Sequence, residues 1–189
     1  MSSIDATLDA ASRATLLQVA RESIACGVRQ GRPLTVDADY YPPTLRIPRA
    51  TFVTLQKDGE LRGCIGTLEA HRPLVEDVAM NAFNAAFRDP RFAPLHAEEL
   101  HCLDIHISVL SPSEPMRFQN EADLLSQLRP GVDGLILSAP GHRGTFLPSV
   151  WESLSRPEEF LRHLKHKAGL PADHWSPEIH VERYTTETF

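Results

Sequence analysis

The chain reads as an α+β protein, a largely antiparallel sheet flanked by helices, and three features of its 189 residues carry that reading. Leu103 to Leu110 alternates strictly, with Leu103, Ile105, Ile107 and Val109 facing one way and Asp104, His106 and Ser108 the other. That is the period of a half-buried strand. Lys57-Asp58-Gly59-Glu60 lies between two apolar runs, and Asp-Gly there marks a hairpin, because its tight turn needs positive φ angles. Helical periodicities are interleaved with hairpins rather than in strict βαβ order, which favours antiparallel pairing. Fifteen prolines cut the chain into short elements and argue against one long helical bundle.

Taken in order, the first element is a helix over roughly Ala11 to Arg29, with Leu17, Ala20, Ile24 and Val28 on one face. Gly31 and Pro33 end it. Pro33 to Pro48, which includes Tyr40-Tyr41-Pro42-Pro43, reads as an extended loop. The hairpin follows, its first strand Thr51 to Gln56. Pro73 opens a helix that runs toward Phe87 and stops at Asp89-Pro90, since the residue before proline is pushed out of the α region. Asn120 to Leu128 is a short helix with an Asn cap. Leu135-Ile136-Leu137 and Thr145-Phe146-Leu147 form a second hairpin around the loop from Pro140 to Gly144. Ser155 and Glu158 read as a capping box ahead of Phe160, Leu161 and Leu164, in a helix that Gly169 and Pro171 close. A last strand runs from Ile179 to Tyr184. The length fits one domain, or one domain with a small subdomain.

Net charge is −6, so no global basic field draws phosphates, and nucleic acid is not the expected partner. The opening Met-Ser-Ser-Ile-Asp-Ala lacks the basic and apolar regions of a secretory leader. No apolar run approaches the ~20 residues of a membrane span. The expected location is the cytoplasm. Cys26, Cys64 and Cys102 are odd in number and widely spaced, which suits reduced thiols rather than disulfides or structural zinc.

The most informative stretch is Leu61-Arg62-Gly63-Cys64-Ile65-Gly66-Thr67-Leu68 on the return strand of the first hairpin. Glycine inside a strand marks a bulge, a bend or close approach of another group. Arg62 is two residues from Cys64, so both side chains are expected on one face, with the guanidinium within reach of the sulfur. A thiol becomes nucleophilic as thiolate, which a nearby cation promotes. Cys64 is therefore the candidate catalytic residue, with Arg62, Gly63 and Gly66 beside it. The bland alternative is a small buried hydrophobe. His106 is the candidate base, and a solvent-facing histidine is its alternative. Arg91 and Glu152, next to the apolar anchors Phe92 and Trp151, are further candidates for a polar ligand. Arg91 with Asp89 also reads as a structural ion pair across a proline turn. His163 and His166 sit among Arg162, Lys165 and Lys167 and look like a solvated basic helix end. No metal and no cofactor is expected. Phosphate loops, nucleophile elbows and clustered cysteines for radical chemistry are all missing from the sequence.

The octet resembles the Arg-Gly-Cys-Ile-Gly-Thr signature of the AMME syndrome candidate protein family, called AmmeMemoRadiSam system protein A in bacteria. The likeness continues through Ala86 to Leu95, Ile107 to Ser111, Gly131 to Gly134, Thr145 to Glu152 and Lys167 to Leu170. It implies a single AMMECR-type domain over 1–189, with a main part and a smaller subdomain. It implies company as well: a Memo-like protein and a radical S-adenosylmethionine protein. In that company the chain would be an accessory or substrate-binding component. The other reading is a cysteine-dependent enzyme with Cys64 in an arginine-lined cleft that takes a small polar or anionic substrate. The resemblance often places an acidic residue where this chain has His106, so that histidine is not a family trait.

Overall fold

A computed structural model describes residues 7–189; the N-terminal hexapeptide read for a leader lies outside the described residues. Among the described residues no helix is long and apolar enough to cross a membrane. The chain divides into two compact units, one running to Leu110 and regaining Glu187–Phe189, the other Ser111–Thr186.

The first unit holds α1 (Ala10–Gln30), the one-turn α2 (Pro43–Arg46), β1 (Thr51–Lys57), β2 (Glu60–Gly66), α3 (Leu74–Phe87) and β3 (Leu103–Leu110). Its four-stranded sheet is ordered β2-β1-β3-β8, where β8 is Thr186–Thr188. Asp58 and Gly59 both have positive φ (54° and 80°), so the predicted hairpin turn forms at the predicted place. Leu16, Val19, Ala20 and Ile24 of α1 and Val75, Val78 and Ala82 of α3 form the core with Val53, Leu55, Ile105 and Ile107 of the sheet. The alternation read at Leu103 to Leu110 matches β3 residue for residue, with Asp104 and His106 exposed.

The second unit contains β4 (Glu114–Pro115), α4 (Glu121–Gln127), β5 (Gly134–Ala139), β6 (His142–Phe146), α5 (Pro157–Lys167) and β7 (His180–Tyr184). Its sheet is ordered β4-β7-β5-β6. Leu135, Leu137 and Val181 pack with Phe160, Leu161, Leu164 and Trp151. Asn120 caps α4, its side chain accepting from the N–H of Asp123. The α+β reading holds in both units.

Three local expectations change. Pro33 to Pro48 is not wholly extended: a 3-10 turn forms at Ala38–Tyr40 and α2 follows, started by the proline that suits a first helical turn. The second hairpin turns tightly at Pro140-Gly141, because Gly141 supplies φ 75° and β6 already begins at His142. The Ser155 and Glu158 capping box does not form. Pro157 fixes the first helical position of α5, so Arg156 becomes the cap and Ser155 stands one residue too early. A capping box forms instead at His96 and Glu99, opening a 3-10 helix over Ala97–Cys102. β4 and β8 are too short for an alternating pattern to show.

Candidate functional site

The hairpin register decides what the octet does. Lys57 pairs with Glu60 and Gln56 with Leu61, but Leu55 then pairs with Gly63, which leaves Arg62 as an extra residue. This is a β-bulge, which shifts every later pairing by one. Without it, Cys64 would stand opposite Val53, whose side chain is fully buried. With it, Cys64 stands opposite Thr54, and Thr54 stands opposite His106 on the other side. A slip of one residue moves a side chain to the other face of the sheet. Cys64 and Thr54 are half-buried and His106 is exposed, a row of three polar side chains across three strands. Thr54 Oγ1 lies 3.2 Å from Cys64 Sγ.

Each remaining residue of the motif has a partner inside the protein. Arg62 meets Glu99 through two parallel bonds, Nε to Oε1 and Nη2 to Oε2, both 3.0 Å, while its Nη1 is buried with no hydrogen-bond partner. The Arg62 guanidinium pulls the Glu99 carboxyl down to about 2, helped by the His96 backbone N–H and by Lys57 and opposed by burial. A Cβ on Gly63 would sit 2.1 Å from the carbonyl oxygen of Ala85, so glycine is what lets α3 approach β2. A Cβ on Gly66 would meet the Phe52 ring at 2.3 Å and the Thr51 carbonyl oxygen at 2.4 Å. What comes close to the two glycines is therefore the protein itself. Ile65 packs on the core.

The backbone of Cys64 is held by the Asp89–Arg91 pair. Its N–H donates to Asp89 Oδ2 at 2.9 Å, and its carbonyl accepts from Arg91 Nη2 at 3.4 Å. Because β2 is an edge strand, these side chains supply the bonds that a further strand would otherwise make. Arg91 in turn bonds Asp89 through Nε at 3.0 Å and Nη2 at 2.7 Å. The guanidinium holds the Asp89 carboxyl far below its ordinary range against the opposing effect of burial, with the Cys64 N–H assisting. Arg91, not Arg62, is thus the cation at Cys64.

Thr67 closes the motif on a second carboxylate. Asp77 Oδ2 accepts from Thr51 Oγ1 at 2.6 Å, from Thr67 Oγ1 at 3.0 Å and from Asn81 Nδ2 at 2.9 Å. Burial raises the pKa of Asp77, and these neutral donors, with Arg72 at 3.6 Å, only partly counter it.

The structure brings Cys64, Gly63, Gly66, Arg62 and Arg91 to one strand edge and sets His106 two strands away on the same row. Glu152 belongs to the other unit, exposed at the end of the 3-10 helix Pro148–Glu152. Sequence reasoning missed Thr54, Asp77, Asn81 and Glu99. The bulge hid Thr54, since a plain two-residue turn would pair it with Gly63. Among the described residues no group of three or more His, Cys, Asp or Glu could hold a metal ion.

The AMMECR1 family model matches residues 17–189. The chain belongs to the AMMECR1 family. A protein of Methanothermobacter thermautotrophicus is 41% identical over 181 residues, which cover 93% of this chain and 92% of the relative. One of Thermotoga maritima is 37% identical over 164 residues, covering 86% and 89%. The crystal structure of the uncharacterized protein PH0010 from Pyrococcus horikoshii is similar with a TM-score of 0.83 at 34% identity, covering 92% of this chain and 88% of that one.

Proposed function

We propose that this AMMECR1-family chain is an accessory or substrate-binding component, the counterpart of AmmeMemoRadiSam system protein A, working in the cytoplasm beside a Memo-like protein and a radical S-adenosylmethionine protein. One observation supports it above others: the guanidinium at Cys64, that of Arg91, is already neutralised by Asp89, as Arg62 in the same strand is by Glu99. A cation engaged bidentately by a carboxylate gives much of its field to that partner. The strand is better equipped to present a rigid polar row, Cys64, Thr54 and His106, to a small polar or anionic ligand than to activate a thiolate.

The second reading is a cysteine-dependent enzyme acting through Cys64. It draws on the Thr54 hydroxyl 3.2 Å from the sulfur and on His106 next in the same row, a histidine being the usual base for a cysteine nucleophile. Alkylation of Cys64 followed against pH separates the two. A thiol that reacts at full rate at or below neutral pH establishes the enzyme; one slow across the range supports the accessory role. The companion experiment replaces Cys64 by Ser and by Ala and assays function in cells with both partner proteins present. Full function in both variants would end the enzyme reading; the polar row predicts that Cys64→Ser, which keeps a polar group there, retains more function than Cys64→Ala, and equal, complete loss in both would overturn the accessory reading.

A further inference from the structure

The second unit carries an open groove of about 420 Å³ whose lining includes Met116, Arg117, Phe118, Trp175, Pro177 and His180. That volume lies in the range of small-molecule sites, which pair apolar walls with a few polar groups. The Phe118 and Trp175 rings meet with centroids 5.6 Å apart and planes at 56°. Two tilted rings form a corner in which a third ring can stack on one and meet the other edge-on. Neither ring is fully buried.

The residues that line this corner carry no negative charge, although Asp123 and Glu121 of α4 stand nearby, Asp123 accepting from the Gln119 N–H at 2.9 Å. Arg117 is exposed and, among the described residues, makes no ion pair; His180 is the other titratable group of the lining, and no carboxylate lines it. In the same unit Arg129 is matched to Asp133 at 2.6 Å. Lys165 is fully buried, its ammonium 2.9 Å from Glu121 and 5.5 Å from the centre of the Trp175 ring. A cation over an indole face draws on the ring's negative quadrupole. Lys165 is neutralised by Glu121, so it is Arg117, without an ion pair among the described residues, that disfavours a cationic guest in the groove.

We propose that this groove binds a small planar aromatic molecule carrying a carboxylate, its ring in the Phe118–Trp175 corner and its anionic group on Arg117. The proposal stands apart from the reading of Cys64, since every residue it uses lies in the other unit.

The chain has two tryptophans, so its indole N–H region in a ¹H–¹⁵N spectrum contains two assignable resonances. Trp151 is buried, donates to the carbonyl of Asp133 at 2.7 Å and serves as the internal control. Titration of the full chain with 2-naphthoate is expected to move the Trp175 resonance and leave Trp151 in place. The neutral 2-naphthalenemethanol and the cationic 2-naphthylmethylammonium are expected to bind at least about tenfold more weakly, the scale of one charge-assisted hydrogen bond. Arg117→Ala is expected to abolish that preference for the anion, and Phe118→Leu to weaken all three ligands together. Equal affinity for the three probes, or a Trp175 resonance unmoved by millimolar 2-naphthoate, would overturn the proposal. So would a proline-rich peptide that saturates the resonance where 2-naphthoate does not.

Discussion

Two points of the motif, Cys64 within β2 and Thr67 just past its end, are anchored by buried aspartates of opposite character. At Cys64, Asp89 faces a guanidinium and a backbone N–H, and its pKa falls. At Thr67, Asp77 faces two hydroxyls and an amide, with Arg72 farther off, and its pKa rises. Both carboxylates lose water on burial; they differ in what replaces it. A bidentate cation more than compensates for the lost hydration, whereas neutral donors do not. Cys64 is thus held by charge and Thr67 by hydrogen bonds that survive neutralisation.

The largest expected effect tests whether the strand needs its close approach to α3 at all. Gly63→Ala places a methyl 2.1 Å from a helix carbonyl that cannot move alone, and a loss of about 3 kcal/mol or more in urea unfolding is expected. A loss under about 0.5 kcal/mol would mean that α3 yields easily. Next comes Asp89→Asn, which turns a charged acceptor into a neutral amide opposite Arg91 and the Cys64 N–H. It is expected to destabilise by about 2 kcal/mol at neutral pH. Since the folded pKa of Asp89 lies below the ordinary value of about 3.9, its contribution is fully present above that value. It disappears as pH falls further, through the depressed folded pKa.

Asp77→Asn is the smallest change and has the opposite pH trend. The folded pKa of Asp77 is raised, so its favourable linkage is present below the unfolded value of about 3.9 and is lost as pH rises through the folded one. Ionised Asp77 is a burden on the fold at neutral pH. The variant is expected to lie within about 1 kcal/mol of the parent at pH 7, the hydroxyls of Thr51 and Thr67 reorienting to suit an amide. Its standing relative to the parent should worsen as pH is lowered toward 4. Urea unfolding of parent, Asp77→Asn and Asp89→Asn from pH 7 down to about 2 would show both trends, that of Asp77 above pH 4 and that of Asp89 below it. Parallel curves for the two variants would erase the distinction between the anchors.

The hairpin turn, the strand Leu103 to Leu110 and the helices around Ile24 and Val78 were legible in the sequence because each depends on neighbours a few residues away. So was the identity of the strand that matters, since Arg62-Gly63-Cys64-Ile65-Gly66-Thr67 stands out by composition. The Asp89–Arg91 pair was also visible, being two residues apart. The partners of the motif were not. Glu99 lies 37 residues from Arg62 and Asp89 lies 25 from Cys64, and nothing local marks a carboxylate as the one that will arrive.

The sequence by itself determined that a thiol would stand on the return strand of a hairpin between two glycines. Only the tertiary structure decided which way the thiol points and what the glycines make room for. The single extra residue at Arg62 turns Cys64 from the face of Val53 to the face of Thr54 and His106. The contacts beside that bulge, the Ala85 carbonyl against Gly63 and the Asp89 carboxylate on the Cys64 N–H, exist only once distant parts of the chain have packed.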